Sequence, residues 1–188
     1  MVTLDKVKAV QASAELLVDL KTLHAAFDRM AAKMTQELAE QDPILLCVMN
    51  GGLLTMAELL TRLDFPLQCD YIHASRYGGE TTGSDQLQWK RFPASKLKNR
   101  VVVIVDDILD AGVTLAAMVE YCGYQKTKKV YTAVMLDKPE GREPAGLQKA
   151  DFVGLEIPNR FVFGYGLDYF EYLRNVPGIY AVADEHLK

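Results

Sequence analysis

An α/β fold, built on a doubly wound and mostly parallel sheet, is predicted by three observations. The run Val101-Val-Val-Ile-Val105 is wholly apolar and β-branched, without the polar alternation of a half-exposed strand. It therefore has to be covered on both faces, as a central parallel strand is. Apolar runs of strand length alternate along the chain with segments of helical period, which is the pattern of βαβ units. Finally, Ile44 to Met49 runs into Asn50-Gly51-Gly52 and then into a helix-period segment, a strand, glycine turn and helix in sequence.

The elements follow in order. Leu23, Phe27, Met30, Met34 and Leu38 recur at spacings of three and four, so residues from about 20 to 40 form an amphipathic helix, with Asp19 as its cap. A strand over 44–49 follows Pro43, then a helix over about 54–63 and a strand over 67–73. The stretch RYGGETTGSD (76–85) is polar and glycine-rich, long enough to be a mobile loop of the lid kind, opened by Arg76 and Tyr77. Residues 101–105 form the central strand, 114–121 a helix, and 130–136, 152–157 and 179–182 further strands. In such sheets ligands sit at the carboxyl ends of the strands, so the loops after strands are where chemistry is expected.

Composition narrows the function. The chain has 188 residues, is 49% apolar and carries a net charge of -4. That size fits one domain, residues 1–188, with room for a sizeable core. No run approaches the roughly 18 apolar residues of a membrane span, and MVTLDKVKAV lacks a signal-peptide core; the expectation is a cytoplasmic protein without a membrane partner. No long basic block occurs, which disfavours a nucleic-acid partner, whose affinity would come from phosphate neutralisation. Cys47, Cys69 and Cys122 are an odd number without metal-ligand spacing, and each is expected to be a buried reduced thiol.

The chemistry-bearing stretch is VVVIVDDILDAGVTL, residues 101–115. From Asp110 through Ala111, Gly112 and Val113 to Thr114 the chain can wrap an anion. Gly112 permits close approach, successive N–H groups turn inward, the next helix presents its positive end, and the Thr114 hydroxyl adds a donor. Asp106 and Asp107 lie just upstream, where a carboxylate would repel a phosphate. Either hydroxyls that donate to the acids or a Mg²⁺ shared with the ligand resolves the conflict. A sugar phosphate with a vicinal diol supplies the first, a diphosphate with its metal the second. One Asp could merely cap the following helix, but three in five positions exceed what capping requires. A phosphoacceptor receiver domain would also use an acid pair and a Lys-Pro, here Lys138-Pro139, but in the wrong chain order.

The same stretch resembles the phosphoribosyl-pyrophosphate motif of the type I phosphoribosyltransferases. LCVMNGG (46–52) is similar to that family's pyrophosphate loop and LDKP (136–139) to its purine-binding strand end. DFVGLEIP with FVFGYGLDY (151–158 and 161–169) resembles the hypoxanthine-guanine branch. The resemblance spans about residues 20–180, with every motif in order.

It implies transfer of a ribose 5-phosphate to a 6-oxopurine in purine salvage, with Mg²⁺ as cofactor and a homodimer or homotetramer as the assembly. A small hood would form from the N-terminal segment and the part from about 151. Asp106 and Asp107 would hold the ribose hydroxyls, directly or through Mg²⁺, with Asp168 as a further metal-site carboxylate beside the purine. Residues 110–114 would bind the 5′-phosphate, and Asp110 would accept a proton near N7 of the base. Asn50, Gly51, Gly52 and Arg174 would contact the pyrophosphate. Lys138 would read O6, Phe161 would stack on the purine and the Val162 main chain would read its edge. The family also implies a cis peptide between Met49 and Asn50. Two positions depart from its pattern: Asn50 stands where relatives often carry lysine, and Asp106 where many carry glutamate. A xanthine-preferring transferase is the nearest competitor; an RNA-binding nucleotide sensor on the same fold would need a basic face that the acidic balance disfavours.

Overall fold

The computed structural model describes residues 2–76 and 87–187. Its larger sheet has six strands in the order β4-β3-β2-β5-β6-β7. These are β2 (Ile44–Met49), β3 (Gln68–Arg76), β4 (Leu87–Arg91), β5 (Val101–Leu109), β6 (Lys129–Asp137) and β7 (Phe152–Glu156). Every neighbouring pair is parallel except the β3–β4 edge. As the apolar run requires, β5 is central, and Val101 to Val105 are all buried.

Helices cover both faces because alternate side chains of β5 enter different cores. Val101, Val103 and Val105 pack with Leu45 and Cys47 under α2 (Leu20–Leu38) and α3 (Gly52–Leu60). Val102 and Ile104 pack with Leu46 and Val48 under α4 (Val113–Tyr124). The stripe Leu23, Phe27, Met30, Met34 and Leu38 is buried as its spacing predicts, and the Asp19 side chain caps α2 by accepting from Thr22 N at 2.8 Å.

A second sheet, order β1-β9-β8, stands over the carboxyl ends of the strands: β1 (Glu15–Val18), β9 (Ile179–Ala181) and β8 (Val162–Phe163). With α1 (Leu4–Ser13) it encloses a separate core of Val7, Val10, Phe163, Tyr169, Leu173, Val176 and Val182. The segment at 179–182, expected as one more strand of the main sheet, belongs here instead. Three residues long and antiparallel to β1, it has no crossover helix to carry it into the parallel sheet.

Two further expectations need correction. The central strand does not stop at Val105 but continues to Leu109, so Asp106 and Asp107 are strand residues. Ladder bonds to β6 hold the backbone there whatever the side chains prefer. Cys69, expected to be buried, is exposed. The helices of that face lie over β2, β5 and β7 and leave the outward side chains Cys69 and Tyr71 of β3 uncovered. Among the described residues no helix is long and apolar enough to cross a membrane.

Candidate functional site

Two glycine turns meet at the end of β5. The first joins β5 to α4 through Asp110, Ala111 and Gly112, where Gly112 has φ +81°. That glycine serves the fold as much as any ligand: a Cβ there would lie 2.5 Å from the Leu147 carbonyl oxygen. Leu147 N–H donates to Gly112 O at 3.0 Å and Glu143 N–H to Ala111 O at 3.1 Å. With its carbonyls tied back, the turn leaves the first N–H groups of α4 facing the cleft, where the helix dipole favours an anion. The hollow is ≈ 230 Å³ and is lined by Asp106 to Gly112 with Thr114 and Leu115.

The second turn joins β2 to α3 through a cis Met49–Asn50 peptide, as the family resemblance implied. A Cβ on Gly51 would collide with the Asp107 carboxylate, and one on Gly52 would lie 2.6 Å from Val105 O. The paired glycines thus let this turn rest on the last residues of β5. A cleft of ≈ 360 Å³ results, between Asn50 and Gly51 on one side and Asp168, Glu171 and Arg174 on the other. Asp106, Asp107 and Thr114 line both hollows, so the two form one trough with an acid pair in its floor and a helix N-terminus at each end.

The acids are held in a costly state. Burial, and then the neighbouring Asp107 charge, push the Asp106 carboxyl well above the usual carboxylate range. Burial also raises Asp107, against the lowering effects of its hydrogen bond with Asp106 and of the Arg174 charge. Asp106 is buried and Asp107 half-buried, and a carboxylate pair so placed stays ionised only if a cation or good donors arrive. Among the described residues no three His, Cys, Asp or Glu side chains converge as a metal cage. An open pair of this kind suits Mg²⁺, which takes one or two carboxylates and completes its shell from phosphate oxygens and water.

Arg174 braces the far wall. Its guanidinium pairs with Asp168 at 2.8 Å and Glu171 at 3.3 Å, and donates to Gly166 O at 2.7 Å. Asp168 in turn accepts from Glu171 N at 2.8 Å.

Beyond the first turn, Lys138 is buried at the end of β6, with Nζ 2.6 Å from Asp110 Oδ2 and 3.3 Å from Arg160 O. These contacts link that turn to the segment that leads into β8. Phe161 is 46% exposed, with its ring edge-on to Tyr169 at 6.0 Å, so a flat ligand can reach it. Val182 N–H donates to Phe161 O at 2.9 Å, and the ladder continues through Val162↔Ala181 to Phe163↔Tyr180. Antiparallel alternation then turns the Val162 N–H and C=O away from β9, at the free edge of the small sheet.

All the sequence-predicted side chains among residues 50–52, 106–114, 138, 161–162, 168 and 174 therefore gather at one end of the sheet. Arg76 ends β3, while Tyr77 and the rest of the loop to 85 lie outside the described residues. Sequence reasoning missed Arg142, whose guanidinium reaches Leu109 O at 2.7 Å and Lys138 O at 3.1 Å and also bonds Asp110 O and Asp137. It also missed His73, Lys90 and Glu171 in the cleft wall. Single polar residues scattered over a loop, an edge strand and an inner strand carry no local signal for such a place.

Comparison with known proteins points the same way. The family model described as "Phosphoribosyl transferase domain" matches residues 13–169. The hypoxanthine-guanine phosphoribosyltransferase of Bacillus subtilis is 36% identical over 165 residues, 88% of this chain and 91% of that one. The Streptococcus pneumoniae protein of the same name is 35% identical, covering 91% and 94%. A crystal structure of a hypoxanthine phosphoribosyltransferase from Staphylococcus aureus superposes with a TM-score of 0.85 at 30% identity, covering 93% of this chain and 94% of that one.

Proposed function

The chain belongs to the phosphoribosyltransferase family, and from that premise we propose that it salvages 6-oxopurines. It joins hypoxanthine or guanine to phosphoribosyl pyrophosphate and releases IMP or GMP with pyrophosphate. The observation that carries this reading is the continuous trough, with a helix N-terminus at each end and the Asp106–Asp107 carboxylates between. Such a trough matches a ligand with a 5′-phosphate, a diol and a diphosphate in that order.

In this reading the amides of residues 110–114 and the Thr114 hydroxyl bind the 5′-phosphate, and the N-terminus of α3 faces the diphosphate. Asp106 and Asp107 accept from the ribose hydroxyls and, with Asp168, are the residues that would hold Mg²⁺. The metal, when bound, neutralises charge on the diphosphate. Positive charge builds on the sugar as the bond to the diphosphate loosens, and the acid pair below the ring favours it. Phe161 holds the purine flat, and the outward main chain of Val162 reads its edge. Asp110 takes up a proton from the base as the new bond forms. Lys138 is donor-only, so it matches the O6 acceptor of hypoxanthine or guanine and opposes the amino group of adenine. Arg76 and Tyr77 would close over the reacting sugar and keep water out. The full chain would act as a single domain, in the cytoplasm, as a homodimer or homotetramer.

An assay with phosphoribosyl pyrophosphate, Mg²⁺ and each of guanine, hypoxanthine, xanthine and adenine tests the assignment. Guanine and hypoxanthine should turn over, with adenine at least 10³-fold poorer in kcat/KM, on the order expected when a buried donor is left unpaired. Comparable use of adenine would remove the role given to Lys138, and a preference for xanthine would reassign the substrate.

A further inference from the structure

The end of the trough that faces the diphosphate is short of positive charge, and the edge strand supplies some. Four carboxylates line this cleft, those of Asp106, Asp107, Asp168 and Glu171, while Asn50 in the turn is neutral. Among the described residues, two lysine or arginine side chains line it, those of Arg174 and Lys90. Arg174 already serves Asp168, Glu171 and Gly166 O. Lys90 takes part in none of the salt bridges among the described residues.

Its position on the strand is unusual. The β3–β4 ladder pairs Arg76↔Leu87, Ser75↔Gln88 and Ala74↔Trp89, then slips, so that His73 faces Arg91. Lys90 is the extra residue, a bulge at the sheet edge, and bulges re-aim side chains beside functional sites. An edge-strand lysine ordinarily serves to discourage strand pairing by pointing into solvent. This one instead lines the cleft, and after burial its charge is the main influence holding the His73 imidazole below its ordinary range.

We infer that Lys90 binds the diphosphate of phosphoribosyl pyrophosphate and stabilises it as it leaves. This rests on the phosphoribosyl-transfer reading. In that step the bond from C1 to the diphosphate oxygen breaks and its electron pair departs on the diphosphate. One imidazole nitrogen of the base bonds C1, and the proton on N7 of the base passes to Asp110. Lys90 keeps its proton throughout and contributes charge where negative charge accumulates.

Calorimetric titration of the full chain with magnesium pyrophosphate tests this, alongside the reverse reaction from IMP. Lys90→Met should weaken pyrophosphate binding about tenfold, the scale of one charge-assisted hydrogen bond. KM for pyrophosphate should rise in parallel while KM for IMP stays put. The deficit should shrink as ionic strength rises. Lys90→Arg should remain within a few-fold of the unmodified chain, and Asn50→Lys placed in the Lys90→Met background should recover binding by returning a cation to the same cleft. Lys90 is exposed, so these changes leave folding intact, and Lys90→Gln gives an independent second reading. Pyrophosphate binding by Lys90→Met and Lys90→Gln within twofold of the unmodified chain would overturn the inference while leaving phosphoribosyl transfer standing. An unmodified chain that neither binds magnesium pyrophosphate nor turns over a 6-oxopurine would remove both.

Discussion

The end of β5 and the hood solve opposite problems with opposite materials. Around β5 the groups that line the trough are main-chain amides and sequential side chains within residues 106–114, clamped by the 143–147 segment and by Arg142. The hood builds its half of the site from pieces distant in sequence, α1 and β1 from one end of the chain and β8 and β9 from the other, around a core of its own. Its turns are demanding: Tyr165, Phe170, Glu171 and Leu173 all adopt positive φ, a region that few non-glycine residues enter. Anion binding by backbone needs contiguous chain. Recognition of a flat base needs walls, and walls come from wherever the fold can supply them.

The largest effect should come from breaking the ion pair that lies between the two regions. Asp110 opens the turn before α4 and pairs with Lys138 at 2.6 Å, so Asp110→Asn removes the proposed proton acceptor and leaves a buried ammonium without its counter-charge. Turnover should fall by about 10²-fold or more, well beyond any rise in KM for phosphoribosyl pyrophosphate. Steady-state kinetics with hypoxanthine decide it, and an unchanged kcat would refute the proton-acceptor role.

Next is the glycine that holds the turn before α4. Gly112→Ala forces a side chain into positive φ and drives its Cβ against the Leu147 main chain, which cannot yield without breaking the clamp. The cost should be about 2–4 kcal/mol, seen as a Tm lower by roughly 5–10 °C, with loss of phosphoribosyl-pyrophosphate binding. A variant of normal stability and affinity would show that the turn is looser than its hydrogen bonds imply.

A smaller effect is expected where the hood is tied down. The Tyr165 hydroxyl donates to Glu58 of α3, which also pairs with Arg62. Tyr165→Phe should cost about 1 kcal/mol and lower Tm by roughly 2–4 °C, since Glu58 keeps its arginine. Differential scanning calorimetry checks this, and a loss as large as that of Gly112→Ala would show the hood resting on this one hydrogen bond as heavily as the turn before α4 rests on its glycine.

The same contrast explains what could be read from the sequence. β5, the acid cluster and the glycine before α4 were legible because burial on both faces and backbone anion binding leave contiguous marks. The stripe of α2 was legible because it covers a whole face. By contrast, α1 and β1, along with β4 and β8, were not anticipated. β8 is only Val162–Phe163, too short to show a period, and Leu87–Arg91 alternates too briefly to outweigh its polar residues. The 179–182 run was correctly read as a strand but assigned to the wrong sheet, since periodicity reports which face is buried and not which partner buries it. Arg142 stands in a polar loop and reads as a surface residue; only the fold brings the ends of β5 and β6 to it.

Thiol chemistry gives the smallest effect and probes the two faces of the sheet directly. Cys47 lies in β2 opposite Val105 of β5, and its thiol is pushed up to about 12 by burial and then by the charges of Asp106 and Asp107. Cys122 in α4, on the opposite face, is pushed up to about 12 by burial. Both stay protonated at pH 8, whereas Cys69 is exposed. A chromogenic disulfide reagent should therefore titrate one thiol in the native chain and all three after denaturation. The sign of the linkage is fixed. With folded values above the ordinary thiol value of 9.0, the stability tied to these protonated thiols is fully present below pH 9 and is lost as pH rises toward 12. Slow reaction of Cys47 ahead of Cys122 would mean that the face under α2 and α3 opens before the face under α4 does. Faster reaction of Cys122 would instead place the looser wall behind α4 and reverse the comparison.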